Sequence, residues 1–569
     1  MCGIFAVINE TPQFTNSYIQ VQFERGRNRG PEDSKFLSLG YEIKMGFHRL
    51  AINGLNSASN QPFFIDNIAL ICNGEIYNYK ELFHQLNIVP STQSDCEIII
   101  HLYKLFGIEQ TLKMLDGVFS FMIYDMRIVE GESSKIYIAR DPLGVRPLYI
   151  LFPHTKNDTG FFAIASELKM LAEMYNHETI KNSYSLHQFT PGTYCSFEKS
   201  SLTLSRWKET IVHKPYFMLN HCYSLNADVN LNDEFEWAMS GIRKHLYNAV
   251  KKRYLSTERP VACLLSGGLD SSLITSLVCE IHKQENMTNP IETYSIGLEN
   301  SEDLRYARIV ADYLCTKHTE IVVTEKEMID SIPEVIRTIE SYDTTTVRAS
   351  IGNYLLGKYI SQHSDAKVIF NGDGSDELCG GYLYMGKAPD AVEFDKEIRR
   401  LLTDIHLYDV LRSDKCISSH GLEPRTPFLD KNFVNFYMSI PIALRMHTLH
   451  GQCEKYLLRK SFHSDSLLPD SILWRTKEAF SDGVSNHGRS LYQIIQENVP
   501  KFNSVFVQHV SLRNHNLPVT GEQRYYRFLF DSYYPNLGKI VPYFWMPKYI
   551  EASDPSARTL SIYNIPSNV

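Results

Sequence analysis

The spacing of apolar residues divides the chain into two halves with different predicted secondary structure. In the first half, short apolar runs alternate with turn residues, as at residues 2–8, 116–121 and 161–164. Many short strands with few helices predict a layered sheet sandwich with helices outside. In the second half, apolar runs alternate with stretches of helical spacing, which predicts a doubly wound parallel sheet. The predicted fold is therefore α/β, an αββα sandwich followed by a parallel sheet with flanking helices.

The two patterns meet in a stretch with little periodicity, and this stretch sets the predicted domain boundaries. We predict a first domain at residues 1–200, a linker at 201–230, a second domain at 231–535 and a carboxy-terminal tail at 536–569. An amphipathic helix over residues 232–251 opens the second domain. It begins with acidic residues and is followed by Lys252 and Arg253, which matches the helix dipole.

A glycine loop at residues 266–272 is the first candidate for chemistry, and reads Ser-Gly-Gly-Leu-Asp-Ser-Ser. It follows the apolar run 261–265 and precedes helical spacing, so it joins a strand to a helix. Its glycines let backbone amides approach phosphate oxygens, and its serine hydroxyls add donors. Because Asp270 would repel phosphate without an intervening cation, we predict Mg²⁺ here. For so short a motif, the alternative is an ordinary serine-capped glycine turn.

A second glycine loop follows the apolar run 367–370 and reads Asn-Gly-Asp-Gly-Ser-Asp-Glu at residues 371–377. In doubly wound sheets, ligands bind beyond the carboxyl ends of the strands. This position favours a nucleotide and metal site over a solvated acidic turn. Asp376 is the second predicted Mg²⁺ ligand, facing Asp270.

The composition is that of a soluble intracellular protein. At 569 residues the chain should hold two or more domains, and no run approaches the roughly 18 apolar residues that span a bilayer. A net charge of -8 argues against nucleic acid as the main partner. The 11 cysteines include no Cys-x-x-Cys pair, which suits a reducing compartment. The apolar start is too short for a signal peptide, so we expect a cytoplasmic protein without a membrane partner.

Cys2 is the candidate nucleophile of the first half. If Met1 is removed, the α-amine of Cys2, with a pKa near 8, can act as base for its own thiol. Composition alone favours a small buried cysteine, but four polar motifs follow it at loop-like positions. They are Arg29-Gly30-Pro31, His48-Arg49-Leu50, Asn73-Gly74-Glu75-Ile76-Tyr77-Asn78 and Ser94-Asp95. Together with Cys2 they resemble the N-terminal-nucleophile glutamine amidotransferases.

This resemblance implies that glutamine is hydrolysed at Cys2 to a glutamyl thioester and ammonia. Arg49 would hold the α-carboxylate of glutamine and Asp95 its α-amine. Each charge of the glutamine zwitterion would then face a fixed charge of opposite sign. Glu75 would add a second amine contact, and Asn53 belongs to the same glutamine-binding set. The Asn73 side-chain amide and the Gly74 N–H would stabilise the oxyanion, with donors worth about 2.7 to 4 kcal/mol each.

The loop at 266–272 lacks the lysine of the phosphate loop of kinases and GTPases, and resembles the pyrophosphate loop of ATP pyrophosphatases. Further motifs lie at residues 342–350, 371–377, 421–430, 477–483 and 554–559. With these, nearly the whole chain is similar to the glutamine-hydrolysing asparagine synthetase family.

The family resemblance implies that the aspartate side chain attacks the α-phosphorus of MgATP to give β-aspartyl-AMP and pyrophosphate. Ammonia from Cys2 then travels inside the protein and displaces AMP, so that the substrates are L-glutamine, L-aspartate and ATP. Thr345 and Arg348 would bind aspartate or phosphate and are assigned to aspartate binding, and Asp373 and Lys477 would be catalytic. The implied ATP-binding residues are Leu264, Leu265, Ser266, Gly267, Gly268, Asp270, Ser271, Ser272, Ile296, Asn371 and Gly372. A homodimer is also implied.

The chain departs from the family motifs at several positions. Asn371 and Asp373 replace the serine and glutamate of Ser-Gly-Glu-Gly, and Asp373 is one methylene shorter than the family's residue. The motif His-Arg-Gly-Pro-Asp has Asn28 and Glu32 at its ends, and Thr476 replaces the proline before Lys477. We expect these changes to affect rate and coupling rather than reaction type, with a slower or leakier synthetase as the result.

Three other classes of protein remain open at this point. A phosphoribosyl or sugar-phosphate amidotransferase would share the Cys2 half but not the loop at 266–272. A β-lactam or other amide synthetase would share the adenylating half but would not need Cys2. A non-catalytic regulatory protein would bind ligands without releasing ammonia, and the presence of Cys2, Asp270, Asp376 and Lys477 argues against it.

Overall fold

The fold is seen in a computed structural model. It describes residues 1–9, 12–40, 42–127, 134–154, 160–199, 206–219, 231–478, 480–485, 489–506, 515–556 and 559.

Two antiparallel sheets and a few helices make up the first half. The strands are β1 (Gly3–Ile8), β2 (Asp33–Leu39), β3 (Ile43–Arg49), β4 (Phe63–Ile65), β5 (Ile68–Ile76), β6 (Gly117–Asp125), β7 (Ser134–Arg140), β8 (Tyr149–Pro153), β9 (Phe162–Ala165), β10 (Tyr184–Gln188), β11 (Thr193–Lys199) and β12 (Lys208–Pro215). The helices are α1 (Asn16–Glu24), α2 (Tyr79–Gln85), α3 (Ile98–Met114) and α4 (Ala172–Asn176).

Each antiparallel sheet has six strands, in the orders β10-β8-β9-β1-β3-β2 and β12-β11-β7-β6-β5-β4. Apolar side chains such as Ile4, Ile71 and Phe162 fill the space between the two sheets. A second cluster packs α2 and α3 against the outer face of the β4–β7 sheet. This is the predicted sandwich. Its strands β1, β3 and β5 are buried along almost their whole length, because apolar side chains cover the outer faces as well as the inner ones.

The second half has one parallel sheet, built from β13 (Val261–Leu264), β14 (Glu292–Gly297), β15 (Lys317–Val322), β16 (Val368–Phe370) and β17 (Glu423–Arg425). Its helices are α5 (Leu231–Leu255), α6 (Leu269–Gln284), α7 (Glu302–Leu314), α8 (Glu325–Ile339), α9 (Thr344–His363), α10 (Ser375–Cys379), α11 (Ala391–Asp404), α12 (Asp409–Ser418), α13 (Lys431–Ser439), α14 (Ile442–Arg445), α15 (Tyr456–Phe462), α16 (Asp470–Leu473), α17 (Phe480–Gly483), α18 (Leu491–Phe506) and α19 (Gly521–Tyr533).

The strand order β15-β14-β13-β16-β17 changes direction at β13 and β16, so the sheet is doubly wound as predicted. Both glycine loops follow these two adjacent strands and therefore meet at one edge of the sheet. Strand β17 lies at the edge of the sheet and was not predicted, because its sequence Glu-Pro-Arg lacks the β-branched and aromatic residues that are typical of strands.

The predicted linker at 201–230 contains a regular element. Residues Lys208–Pro215 form β12, which pairs antiparallel with β11 and extends the first half's second sheet. Residues 201–205 and 220–230 lie outside the described part of the chain. The domain boundaries stay predictions. Within the described residues, no helix is long and apolar enough to cross a lipid bilayer.

Candidate active sites

Cys2 precedes β1 and packs against the apolar cluster between the antiparallel sheets. Its Sγ lies 3.5 Å from the Leu50 carbonyl oxygen, and its own carbonyl accepts a 2.8 Å hydrogen bond from Arg29 Nε. Burial raises the pKa of the Cys2 thiol. Burial also lowers the pKa of the Met1 amine to about 6, and this amine donates to the Leu422 carbonyl at 3.2 Å. With Met1 in place, the thiol is therefore protonated near neutral pH.

Asn73 and Gly74, the predicted oxyanion donors, lie on β5. The Ser166 hydroxyl accepts a 3.0 Å hydrogen bond from Ile4 N and lies 3.5 Å from Asn73 Nδ2. Ser166 thus connects Asn73 to the strand that begins after Cys2. The Asn73 Oδ1 atom is buried without a partner among the described residues. Ser166 was not among the predicted site residues, because a serine at a strand end gives no sequence signal for such a bridge.

The predicted glutamine ligands lie around one loop. Arg49 donates to the carbonyl oxygens of Asn56 at 2.9 Å and Asn53 at 3.5 Å, and also to Gly54 and Asn60. Asn53 Nδ2 in turn donates to Glu75 Oε2 at 2.8 Å. In this arrangement the guanidinium of Arg49 holds the loop closed.

Two buried carboxylates complete this site. Asp95 accepts a 2.7 Å hydrogen bond from Ile76 N, and burial raises its pKa to about 6. Burial, followed by the charge of Asp95, also raises the pKa of Glu75. Arg425 of the second half, 3.3 Å from Glu75 Oε2, opposes that shift. A buried pair of carboxylates of this kind suits a cationic ligand such as an α-ammonium group.

The second site is a pocket at the carboxyl edge of the parallel sheet. Of the predicted ATP-binding residues, those that line it are Leu264, Leu265, Ser266, Gly268, Asp270, Ser271, Ile296, Asn371 and Gly372. Gly267 and Ser272 are buried and do not line the pocket. The predicted residues Thr345, Asp373, Asp376 and Lys477 also line the pocket.

The two glycine loops touch each other. A Cβ on Gly372 would lie 2.7 Å from Ser271 N, and Ser375 Oγ donates to Asp270 Oδ1 at 2.7 Å. Gly267 has a φ of +70°, and a Cβ there would lie 2.4 Å from Ala307 N. Only glycine fits this turn, which brings backbone amides and the start of α6 to the pocket.

Asp270 and Asp376 face each other as predicted, and Lys455 lies between them. Its Nζ is 2.8 and 2.7 Å from the two oxygens of Asp270 and 2.5 Å from Asp376 Oδ1. Lys477 Nζ is 2.6 Å from Asp376 Oδ2. Burial favours the neutral form of Asp376, but the two lysines hold its pKa below the usual value. Carboxylate oxygens that converge on one cationic centre are the donors that Mg²⁺ prefers.

Arg348, predicted to bind aspartate, does not line this pocket. Its guanidinium forms two-pronged ion pairs with Glu522, at 2.9 and 2.6 Å, and with Asp554, at 2.7 and 2.8 Å. Only 3% of its side chain is exposed. Arg348 therefore joins α9 to α19 and to the carboxy-terminal segment.

Arg412 lies in the pocket instead, beside Asp373. Its Nη2 is 3.2 Å from Asp373 Oδ1 and also contacts Asp409. Burial raises the pKa of Asp409 to about 6, against the opposing effect of Arg412. Thr345 Oγ1 and Asp373 Oδ2 are buried without a partner among the described residues. Lys455, Arg412 and Asp409 were not predicted, because each comes from a segment without a recognisable motif. Glu377 belongs to the predicted loop 371–377 but was given no role of its own.

Two predicted motifs fall partly outside the described residues. Ala479 interrupts the segment 477–483, and Ala557 and Arg558 interrupt the segment 554–559.

A partly buried cysteine at position 2, a set of charged and amide side chains suited to a zwitterion, and two glycine loops at the edge of a parallel sheet indicate a glutamine amidotransferase joined to a nucleotide-binding half. Comparisons with known proteins agree. A family model described as a glutamine amidotransferase domain matches residues 1–207, and one described as asparagine synthase matches residues 241–393 and 386–504.

Curated relatives match from end to end. The glutamine-hydrolysing asparagine synthetase of Gallus gallus is 39% identical, and those of Homo sapiens and Bos taurus are 38% identical, each over 99% of both chains. The chain belongs to the glutamine-hydrolysing asparagine synthetase family. Among solved structures, an NAD+ synthetase from Burkholderia pseudomallei matches 43% of this chain and 93% of its own at 13% identity and a TM-score of 0.17, too low to support any inference.

Proposed function

We propose that this protein is a ligase that makes L-asparagine from L-aspartate, with glutamine as amide donor and ATP as energy source. The observation that carries the proposal is the meeting of both glycine loops with Lys477 in one pocket, in a chain whose other half contains Cys2 and the buried carboxylates of Glu75 and Asp95. Neither rival enzyme class accounts for both halves.

At the glutaminase site, removal of Met1 would leave Cys2 with a free amine as its base. Asp95 and Glu75 would hold the glutamine ammonium group. Arg49 would exchange its contacts with the loop carbonyls for the glutamine carboxylate. The side-chain amide of Asn73 and the N–H of Gly74 would donate to the oxyanion.

At the synthetase site, the amides and hydroxyls of residues 266–272 would bind the ATP phosphates, and Lys477 would neutralise charge on the α-phosphate. Asp270 and Asp376 would hold Mg²⁺, which supplies charge neutralisation between carboxylates and phosphates. Lys455 contributes a fixed positive charge at the same place.

Aspartate would bind beside the phosphates, near Asp373. Because Arg412 lines the pocket and Arg348 does not, we propose that Arg412 and Thr345 contact the α-carboxylate of aspartate. Asp409 and Asp373 are the adjacent carboxylates available for its ammonium group.

The test is to incubate the purified protein with glutamine, aspartate and MgATP, and to measure asparagine, pyrophosphate and glutamate in parallel. We expect the three products to form in step, and Cys2→Ala to make asparagine only from added ammonium. Glutamate without pyrophosphate or asparagine would contradict the acceptor assignment. Mass spectrometry of the intact protein checks that the chain begins at Cys2.

Magnesium dependence is tested in the same assay. Chelation of divalent cations should stop pyrophosphate release and leave glutamate release from glutamine unchanged, because the two sites lie in different halves. As a control, adding Mg²⁺ back to the chelated protein should restore pyrophosphate release. Continued pyrophosphate release after chelation would contradict the metal assignment.

We also propose a cytoplasmic homodimer. The ten cysteines within the described residues are all free thiols, which suits a reducing compartment. Light scattering of the purified protein tests the dimer.

A further inference from the structure

A short segment of the second half, residues 256–259, contacts a loop of the glutaminase site, residues 51–54. Glu258 Oε1 accepts a 2.9 Å hydrogen bond from Gly54 N, and the Glu258 N–H donates to the Ile52 carbonyl at 3.0 Å. The Ser256 carbonyl accepts a 3.1 Å hydrogen bond from Asn53 Nδ2. We call residues 256–259 the clamp segment and residues 51–54 the glutamine loop.

Arg259 extends these contacts to a third element. Its Nε donates to the Ala51 carbonyl at 2.8 Å, and its Nη2 donates to Glu32 Oε1 at 2.6 Å. The other oxygen of Glu32 accepts a 2.7 Å hydrogen bond from Ala51 N. Glu32 and Arg259 therefore bind both backbone groups of Ala51 and each other. Glu32 is one of the positions at which this chain departs from the family motif, and its longer side chain takes part in this junction.

The glutamine loop connects directly to the residues proposed to bind glutamine. Asn53 donates to Glu75, and the carbonyl groups of Asn53 and Gly54 accept hydrogen bonds from Arg49. All four residues of the loop are buried. A shift of the loop backbone would therefore move Asn53 and release Arg49.

The side chains of Arg259 and Glu32 are partly exposed, whereas the residues of the glutamine loop are buried. About a quarter to a third of the Arg259 and Glu32 side chains is exposed, at 28% and 30%. Their loss leaves polar groups that water can reach, so the fold should survive it. The clamp segment also leads straight into β13 and the loop at 266–272.

We propose that the clamp segment positions the glutamine loop, so that the glutaminase site reaches its binding geometry only through contacts from the synthetase half. Glu258 and Arg259 are then positioning residues for glutamine binding, acting through residues 51–54. This inference rests on the proposed glutamine-dependent function.

The test compares Arg259→Ala and Glu258→Gln with the wild-type full-length protein. The KM for glutamine, measured by glutamate release, should rise about tenfold in each, because each removes charge-assisted hydrogen bonds to the loop. Asparagine synthesis from ammonium, with its KM values for aspartate and ATP, should stay within about twofold. Arg337→Ala, which removes an exposed ion pair within α8, is the control and should change none of these values.

A double-mutant cycle then tests the junction itself. Glu32→Gln should raise the KM for glutamine, and Glu32→Gln combined with Arg259→Ala should be less than additive, because both remove one shared interaction. Strict additivity would show that Glu32 and Arg259 act separately and would contradict the junction.

Two results would overturn the proposal. One is an unchanged KM for glutamine in both Arg259→Ala and Glu258→Gln. The other is an equal loss of glutamine- and ammonium-dependent synthesis with a lower melting temperature, because this would mean a purely structural role. If the wild-type protein releases no glutamate at all, the proposed function itself fails, which the same assay distinguishes.

Discussion

Single residues at the glutaminase site have charges that their surroundings disfavour. Asp95 is buried, and burial raises the pKa of its carboxyl group to about 6 although the Ile76 N–H and the Cys96 thiol donate hydrogen bonds to it. A carboxylate with a raised pKa binds a cation only in its ionised form, and a bound cation lowers that pKa. Glutamine binding should therefore be sensitive to pH in a range where glutamine itself does not titrate.

We expect glutamine to bind about tenfold more weakly at pH 5 than at pH 7.5, because the pKa of Asp95 lies at about 6 in the free protein. Above pH 7 the affinity should be constant, and below pH 6 it should fall as protonation removes the carboxylate. Calorimetry on Cys2→Ala measures binding without turnover. Asp95→Asn should bind weakly at every pH, and a pH-independent affinity in Cys2→Ala would contradict the assignment.

Arg348 and Arg412 differ in what surrounds them, and the difference predicts opposite effects of substitution. Arg348→Ala leaves Glu522 and Asp554 buried without a partner guanidinium, so it should destabilise the fold by about 3 to 5 kcal/mol. Arg412→Ala should mainly raise the KM for aspartate. Thermal unfolding and aspartate kinetics on both variants check this, and a selective aspartate defect in a stable Arg348→Ala protein would restore the original prediction.

At the scale of elements, the turn between β13 and α6 depends on one glycine. Gly267 combines a positive φ with backbone atoms of α7 where a Cβ would lie. Gly451 has a similar φ of +62° but open space around it. Substituting each of these two glycines by alanine therefore distinguishes the effect of backbone strain, present at both, from that of steric overlap, present only at Gly267.

Gly267→Ala should abolish ATP-dependent pyrophosphate release, because the loop must move away from Ala307 to accept a methyl group. Gly451→Ala should keep its activity and lose only about 1 to 2 kcal/mol of stability from the left-handed backbone. Pyrophosphate assays and thermal unfolding on both variants test this. Equal activities in the two would mean that the turn does not shape the phosphate site.

Different faces of helix α9 contact different parts of the molecule. Its pocket-facing residues Thr345, Ala349, Asn353 and Leu356 recur at helical spacing. Arg348 lies beside this stripe and points its charge to the carboxylates of α19 and the carboxy-terminal segment. Sequence spacing placed Thr345 and Arg348 in one motif, but packing assigned them to different tasks.

At the scale of the whole molecule, buried ion pairs join the two halves. Arg29 Nη1 lies 2.7 Å from Glu167 and 2.7 Å from Asp414, and Arg146 also contacts Asp414 at 3.4 Å. The same Arg29 holds the Cys2 carbonyl. The position of the nucleophile is therefore tied to α12 of the synthetase half.

Arg29→Ala should destabilise the protein by about 3 to 5 kcal/mol, because it leaves two buried carboxylates without their shared cation. Arg27→Ala, in the same turn, removes only an exposed contact with Glu24 and should change stability by less than about 0.5 kcal/mol. Denaturant unfolding of both variants measures the difference. Equal stability of the two would mean that the interface does not depend on this network.

The sequence by itself determined the features that local pattern controls. Strand periodicity, the strand–loop–helix order around residues 261–281 and the glycines of both loops follow from contacts between near neighbours in the chain, so the fold class and the phosphate-type turn were predictable. Cys2 and the polar motifs after it indicated the family for the same reason, since each motif is a short continuous run.

Only the tertiary structure decided which charged side chains meet. Lys455 lies between Asp270 and Asp376, Arg348 pairs with Glu522 and Asp554, and Glu258 binds the glutamine loop across the domain boundary. These partners are far apart in sequence. A buried charge needs a partner of opposite sign, and the packing of the helices and strands determines which one lies close enough. The spacing of residues along the chain does not predict these charge pairs, because each pair depends on how separate elements pack together.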